Sequence, residues 1–354
     1  MRRTVLVRRF GSFLMMAALG LSGLGLARAE EKAPTPPPPA PAPAPATTAE
    51  TVADGLSKIL MGGAPNSVAD LKAMQERVQK LSDKLMLATV GVQVGQAQGS
   101  GVIVTKDGYV LTAAHVSGQP GRDVIFIMAD GKTLKGRTLG LNRTIDAGLM
   151  KITDPGEFAS VEMGLSDLLK DGQWCLATGH PGGYQSDRKP VLRLGRVLLS
   201  DSSTITTDCT LVGGDSGGPL FDFDGKVIGI NSRIAGPINA NMHVPVNTFK
   251  ETWDRMVKGD AWGHLPGNDP VIGIKGDPAA KEAKIGQVFK DSPAEKAGIL
   301  VGDVVLEANG IAVADFNAFK AVINDHQPGD ELRLKIKRGD QDVEIKVKLG
   351  KRGG

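Results

Sequence analysis

The sequence predicts a mainly β protein on two observations. From Val90 onward, short β-rich runs follow one another: TVGVQVG, GSGVIVT, GYVLTAAHV, DVIFIMA, GLMKI, QWCLATG, RLGRVLLS, KVIGINS and NMHVPV. Glycine-rich turns such as KDG, ADG, HPGG and FDG separate them. Many short strands joined in this way build a barrel or a sandwich, not an alternating α/β sheet. The chain has 354 residues, enough for two domains. Hydrophobic residues make up 41% and aromatics only 4%, so the core is mainly aliphatic.

Residues 1–29 read as a signal peptide. MRRTVLVRR is a basic start, FGSFLMMAALGLSGLGL is an uncharged apolar run, and Ala27 to Ala29 form a small-x-small cleavage site. The alternative is an uncleaved membrane anchor, though the run is barely long enough to span a bilayer. No cysteine follows the site, which argues against a lipoprotein. Removing the five arginines of this segment takes the formal charge from +3 to −2. A nearly neutral mature chain offers no electrostatic support for a nucleic-acid partner.

Residues 30–50 are a proline- and alanine-rich linker, expected to be an extended spacer. Within 51–87, Leu71, Met74, Val78, Leu81 and Leu85 recur at three- and four-residue steps. That spacing predicts an amphipathic helix, capped by Ser67, which packs on the following domain or on a second copy. Near DAWGHLPGNDP the composition turns polar, which places a domain boundary at about Gly267. Beyond it lies a compact α+β module. Its final hairpin alternates Leu332, Leu334, Ile336 and then Val343, Ile345, Val347 with charges, so one face is core and the other is wet. Cys175 and Cys209 are the two cysteines, and their spacing leaves a disulfide open. There is no ligand cluster for a structural zinc, and no metal or other cofactor is expected.

LVGGDSGGPLFD, Leu211 to Asp222, carries the chemistry. A serine hydroxyl is a poor nucleophile at neutral pH. It needs a base, a group orienting that base, and donors for the oxyanion. Ser216 lies between glycines, which allow unusual backbone conformations and close approach of a substrate. The N–H groups of Gly214 and Ser216 are therefore candidate oxyanion donors. His115 ends the apolar run GYVLTAAHV, where a rigid backbone can present its ring. Asp146 opens the apolar strand in NRTIDAGLMKI and is the candidate orienting acid, ahead of Asp123 and Asp130 in their loop-like settings. His264 and His326 sit in polar contexts and are expected at the surface.

The order His115, Asp146, Ser216, in TAAHV, DAGLMKI and GDSGGPL, resembles that of trypsin-like serine proteases, and more narrowly of the HtrA/Deg family. The C-terminal module, with VIGI and VFKDSPAEKAGILVGDVVLEANG, is similar to a PDZ domain. The resemblance implies a chymotrypsin-like double β-barrel protease domain over 88–262, followed by a PDZ-like α+β domain over 268–350. It implies an exported, periplasmic or secreted serine endopeptidase that acts on unfolded proteins through an acyl-enzyme. A homotrimer is implied as well, with peptide C-termini as partners of the PDZ-like module. Ile272, Gly273 and Ile274 align with the carboxylate-binding loop, and Phe319 and Val322 are expected to line the groove. The rival reading is a latent or inactive protease that acts mainly as a peptide-binding chaperone.

The sequence departs from the family pattern in three places. Asp215 stands where HtrA proteins usually have asparagine, and the sequence names no partner for it. GHPGGY replaces an asparagine-containing turn and brings His180 near the site, as a solvated turn residue or a substrate contact. Only one PDZ-like module follows the protease. The segment INSRIAGPINANMHVPV aligns with the primary pocket, where a small aliphatic pocket is expected and His243 or Arg233 would instead favour an acidic residue.

Overall fold

The computed structural model describes residues 49–234, 236 and 239–352, with side chains from residue 55 onward. The signal peptide expected over 1–29 lies outside these residues, as does the linker up to residue 48. The described residues begin with two helices, α1 (Ala49–Leu60) and α2 (Val68–Ala88). Ser67 caps α2 as expected. Its hydroxyl accepts the Asp70 N–H at 3.1 Å, and the Asp70 carboxylate accepts the Ser67 N–H at 3.0 Å. Met74, Leu81 and Leu85 of α2 are buried, and Leu81 and Leu85 share a core with Phe221 and Phe223. The helix thus packs on its own chain. Leu71, expected on the same seam, is 55% exposed.

The first barrel is built from β1 (Thr89–Val94), β2 (Ala97–Ile103), β3 (Tyr109–Ala113), β4 (Asp123–Ile127), β5 (Thr133–Asn142) and β6 (Ala147–Ile152). A single helical turn, α3 (Ala114–Ser117), follows β3. The strand order is β5-β4-β1-β2-β3-β6, and pairing of β5 with β6 closes the sheet. The second barrel contains β7 (Trp174–Gly179), β8 (Val191–Ser200), β9 (Ile205–Thr207), β10 (Pro219–Phe221), β11 (Val227–Ile234) and β12 (Asn241–Pro245). It closes in the order β10-β11-β12-β9-β8-β7. Closure removes the exposed strand edges and fills each interior with aliphatic side chains. In the second interior the buried thiols of Cys175 and Cys209 are free, with their sulfurs 3.8 Å apart.

Helices α4 (Val246–Glu251) and α5 (Trp253–Val257) lead to β13 (Ala261–Trp262), which pairs in parallel with the end of β5. The remaining module holds β14 (Pro270–Val271), β15 (Ile274–Gly276), β16 (Ile285–Val288), α6 (Pro293–Lys296), β17 (Val304–Ala308), β18 (Ile311–Ala312), α7 (Phe316–Asn324), β19 (Glu331–Arg338), β20 (Gln341–Lys348) and β21 (Gly350–Lys351). The β19–β20 register opposes Leu332 to Val347, Leu334 to Ile345 and Ile336 to Val343. Both strands therefore turn the same apolar face inward, as their alternation predicts. Asp325, which ends α7, accepts the Gly263 N–H at 2.8 Å through its carbonyl and pairs with Arg255 of α5 at 2.9 Å through its carboxylate.

Leu85 is fully buried and Leu71 is not, so their truncations separate cleanly. Leu85→Ala is expected to lower unfolding free energy by about 2–5 kcal/mol. Leu71→Ala should stay within about 0.5 kcal/mol of the parent. Urea denaturation of both variants checks the pair.

Candidate active site

Asp146 adopts a left-handed backbone, φ 66°, between β5 and β6. Aspartate tolerates this conformation better than most residues. Here the turn sends both its carbonyl and its carboxylate back toward α3. The Asp146 carbonyl accepts the Ala114 N–H at 2.9 Å. Its Oδ1 accepts the His115 backbone N–H at 2.9 Å. The His115 ring nitrogen Nδ1 lies 2.8 Å from Oδ2 and 3.0 Å from Oδ1. Ser232, on β11 of the second barrel, donates its hydroxyl to Oδ2 at 2.6 Å. Burial alone would push the Asp146 carboxyl up. The His115 ring, the Ser232 hydroxyl and the His115 N–H outweigh it and hold the group below its ordinary value. An ionised acceptor on Nδ1 fixes the His115 tautomer with Nε2 unprotonated and free to act as a base.

Ser216 follows the loop that leaves β9 and is partly exposed. Its hydroxyl has no hydrogen-bond partner among the described residues. The backbone around it follows a regular pattern. Asp215 N–H donates to Val212 at 3.1 Å and Gly217 N–H to Asn231 at 2.7 Å, whereas Gly214 and Ser216 N–H have no acceptor among the described residues. The Gly213 carbonyl accepts the Gly182 N–H at 2.6 Å. A trans peptide points its N–H opposite its carbonyl, so Gly214 N–H is turned away from Gly182. Gly214 has φ 95°, and a Cβ there would collide with the His180 carbonyl. Two unused donors, one on the nucleophile candidate itself and one two residues before it, can receive an oxyanion.

Ser100, a buried residue of β2 that the sequence did not single out, pins this loop to the first barrel. Its N–H donates to the Ser216 carbonyl and its hydroxyl to the Gly214 carbonyl, both at 2.8 Å. The same hydroxyl accepts the His180 N–H at 2.9 Å. Asp215 has a partner as well. Its side chain is 0% exposed and meets Arg193 of β8 at 2.9 Å and 3.2 Å. Burial raises the Asp215 carboxyl despite that pairing. The signal for this pair was weak, because Arg193 is one of two arginines on β8 and nothing in its spacing points to Asp215.

The two histidines weighed for substrate contact lie elsewhere. His180 is neither solvated nor presented to substrate. It is 1% exposed, with its ring nitrogens unpartnered beside Tyr184. Burial, helped by the charge of Arg188, lowers its pKa to about 4. His243 is sealed between Thr207 at 2.7 Å and Asn231 at 2.9 Å, and burial lowers its pKa to about 3. It is therefore neutral and spent on packing, while Arg233 is exposed. His264, expected at the surface, is 8% exposed and donates its backbone N–H to Thr144.

In the C-terminal module, Gly273 has φ 83° and lies so close to Ser292 that a Cβ would overlap it. Ile272 is buried and Ile274 half-buried beside it. Phe319 and Val322 correct the expectation for the groove. Both turn into the module's core, at 0% and 9% exposure. The residue of α7 that reaches β15 is Phe316, whose ring lies where a Cβ on Gly276 would be, at 2.6 Å. Phe316 and Phe319, three residues apart, share one side of α7, their rings 6.3 Å apart and edge to face.

Residues 99–230 match the Trypsin-like peptidase domain family, and residues 270–349 match the PDZ domain family. The chain joins a trypsin-like peptidase domain to a PDZ domain, as HtrA-type proteases do. A probable periplasmic serine endoprotease DegP-like of Marinomonas sp. is 36% identical over 268 residues, covering 71% of this chain and 56% of that protein. A protein of the same name from Hahella chejuensis is 30% identical over 281 residues, covering 73% and 58%. The chain thus spans a little over half the length of these curated relatives. The serine endoprotease from Yersinia pestis, a solved structure, is 22% identical with a TM-score of 0.51, covering 82% of this chain and 99% of that one. The double barrel and the appended PDZ domain agree with that fold.

The buried histidines set a pH dependence for this chain. An unfolded histidine binds a proton below about pH 6.5, whereas folded His180 waits until about 4 and His243 until about 3. The unfolded state therefore gains protons first, and stability falls as pH drops from about 6.5 to 4. His180→Asn should remove one proton's share, about 1.4 kcal/mol per pH unit, from the slope in that window. Denaturant melts of both proteins between pH 7 and 4 measure it.

Proposed function

We propose that the protein is an exported serine endopeptidase that hydrolyses unfolded or damaged proteins through an acyl-enzyme. Ser216 Oγ attacks the scissile carbonyl while His115 Nε2 takes its proton. The Gly214 and Ser216 N–H groups receive the oxyanion. His115 then protonates the leaving amine, and water repeats the sequence on the acyl-enzyme. Asp146 holds the histidine tautomer and balances the imidazolium formed at each step. The reading rests above all on the paired, unused N–H groups of Gly214 and Ser216 on either side of a buried, anchored Asp215. The names of the relatives support a periplasmic location. Ile272, Gly273 and Ile274 would receive a peptide carboxyl terminus, with the peptide added beside β15. The resemblance to HtrA proteins supports a homotrimer.

Ser216→Ala is expected to lower casein cleavage by more than about 10⁴-fold. Fluorophosphonate labelling should disappear while the far-ultraviolet circular dichroism and melting temperature stay those of the parent. Undiminished cleavage would overturn the assignment. Sedimentation of the mature chain checks the trimer.

A further inference from the structure

We propose that Arg193 is a positioning residue for this reaction. By pairing with Asp215 from within the fold, it holds the oxyanion loop in its working conformation. The inference rests on the endopeptidase reading above. In a loop of four consecutive residues, Gly214 to Gly217, alternate N–H groups are spent on the protein, leaving 214 and 216 for an oxyanion. What keeps that alternation is Asp215. Its backbone N–H bonds Val212 at 3.1 Å, and its carbonyl accepts Gly218 N–H at 2.9 Å and Asn231 Nδ2 at 3.2 Å. Its carboxylate folds back to accept Val212 N–H at 2.9 Å.

A carboxylate with no exposed surface needs a counterion to remain charged there. Arg193 supplies it with two donors, Nη2 to Oδ2 and Nη1 to Oδ1. The arginine is on a barrel strand, opposite Ala177 of β7, so its origin is fixed. Gly179, two residues along β7, leaves the room required, since a Cβ there would stand 2.6 Å from Asp215 Oδ1. Exposed ion pairs contribute little. This one differs, with Arg193 17% and Asp215 0% exposed. Its loss leaves a buried charge whose easiest relief is to swing out to water, and that swing carries Val212 to Gly214 with it. The pair places the counterion inside the chain, so no partner from another chain or a cut terminus is needed for the loop to form.

The test compares the full chain with Arg193→Met, Asp215→Asn and the double variant. Arg193→Met should lower kcat for a peptide substrate by about 10²–10³, the loss typical of an oxyanion donor, with KM changed less than threefold. A peptide boronate should lose affinity by a similar factor, while melting still shows a folded protein. The double variant should recover at least tenfold over Arg193→Met, because an amide accepts the Val212 N–H without a counterion. If the parent is active and Arg193→Met is within twofold of it, the proposal fails. It also fails if activity merely tracks the folded fraction or if the double variant recovers nothing. A parent that neither cleaves peptide nor labels with fluorophosphonate would remove the endopeptidase reading and this proposal together.

Discussion

The structure depends on one short bond between its two barrels, from the Ser232 hydroxyl to the Asp146 carboxylate at 2.6 Å. Asp146 belongs to the first barrel and Ser232 to the second. Without that donor, a largely buried carboxylate would have only the histidine to satisfy it. With it, both oxygens are occupied and the His115 ring is aimed across the seam. A second set of bonds crosses the same seam in the other direction. Ser100 of the first barrel holds the carbonyls of Gly214 and Ser216 from the loop of the second. Buried polar groups left unpaired are costly, so these bonds fix the relative placement of the barrels more sharply than aliphatic contacts do.

Much of this was legible in the sequence because chemistry imposes local patterns. A nucleophile that needs close approach is flanked by glycines, as at Ser216. An acid that must turn back on its own chain sits at the entrance of an apolar strand, as Asp146 does. The final hairpin carried period-two alternation, and β19 with β20 paired as that alternation required. The supports were not legible. Ser100 and Ser232 are ordinary small polar residues in apolar strands, and only closure of the barrels brings them to the loop and to Asp146. Arg193 was not singled out, because only the pairing of β7 with β8 and the fold of the loop bring it to Asp215. His180 was misjudged because its neighbours are glycine and proline, and the ring that covers it, Tyr184, lies four residues away. Phe319 was assigned to the groove because helical periodicity identifies a stripe without saying how deeply each of its residues is buried.

The segment that joins the second barrel to the C-terminal module does more than connect them. Strand β13 adds to the first barrel beside Leu141 and Asn142, a few residues before Asp146. Its continuation gives Gly263 N–H to Asp325 at the end of α7. The segment that carries the acid and the helix beside the PDZ edge thus share one short stretch of backbone. Packing of α2 against Phe221 and Phe223 braces the second barrel from another side. The loops of the site are therefore suspended from rigid elements on every flank, which suits chemistry that tolerates little displacement.

The Arg193–Asp215 pair also bears on how such a sequence can drift. Loss of Arg193 strands a carboxylate closed to water, and loss of Asp215 leaves a mostly buried guanidinium without its partner. Gly179 is tied to the same history, since any side chain there would occupy the carboxylate's place. The three positions form one physical unit scattered over two neighbouring strands and a loop. Lineages can leave this arrangement only by exchanging the charged pair for a neutral one in closely spaced steps.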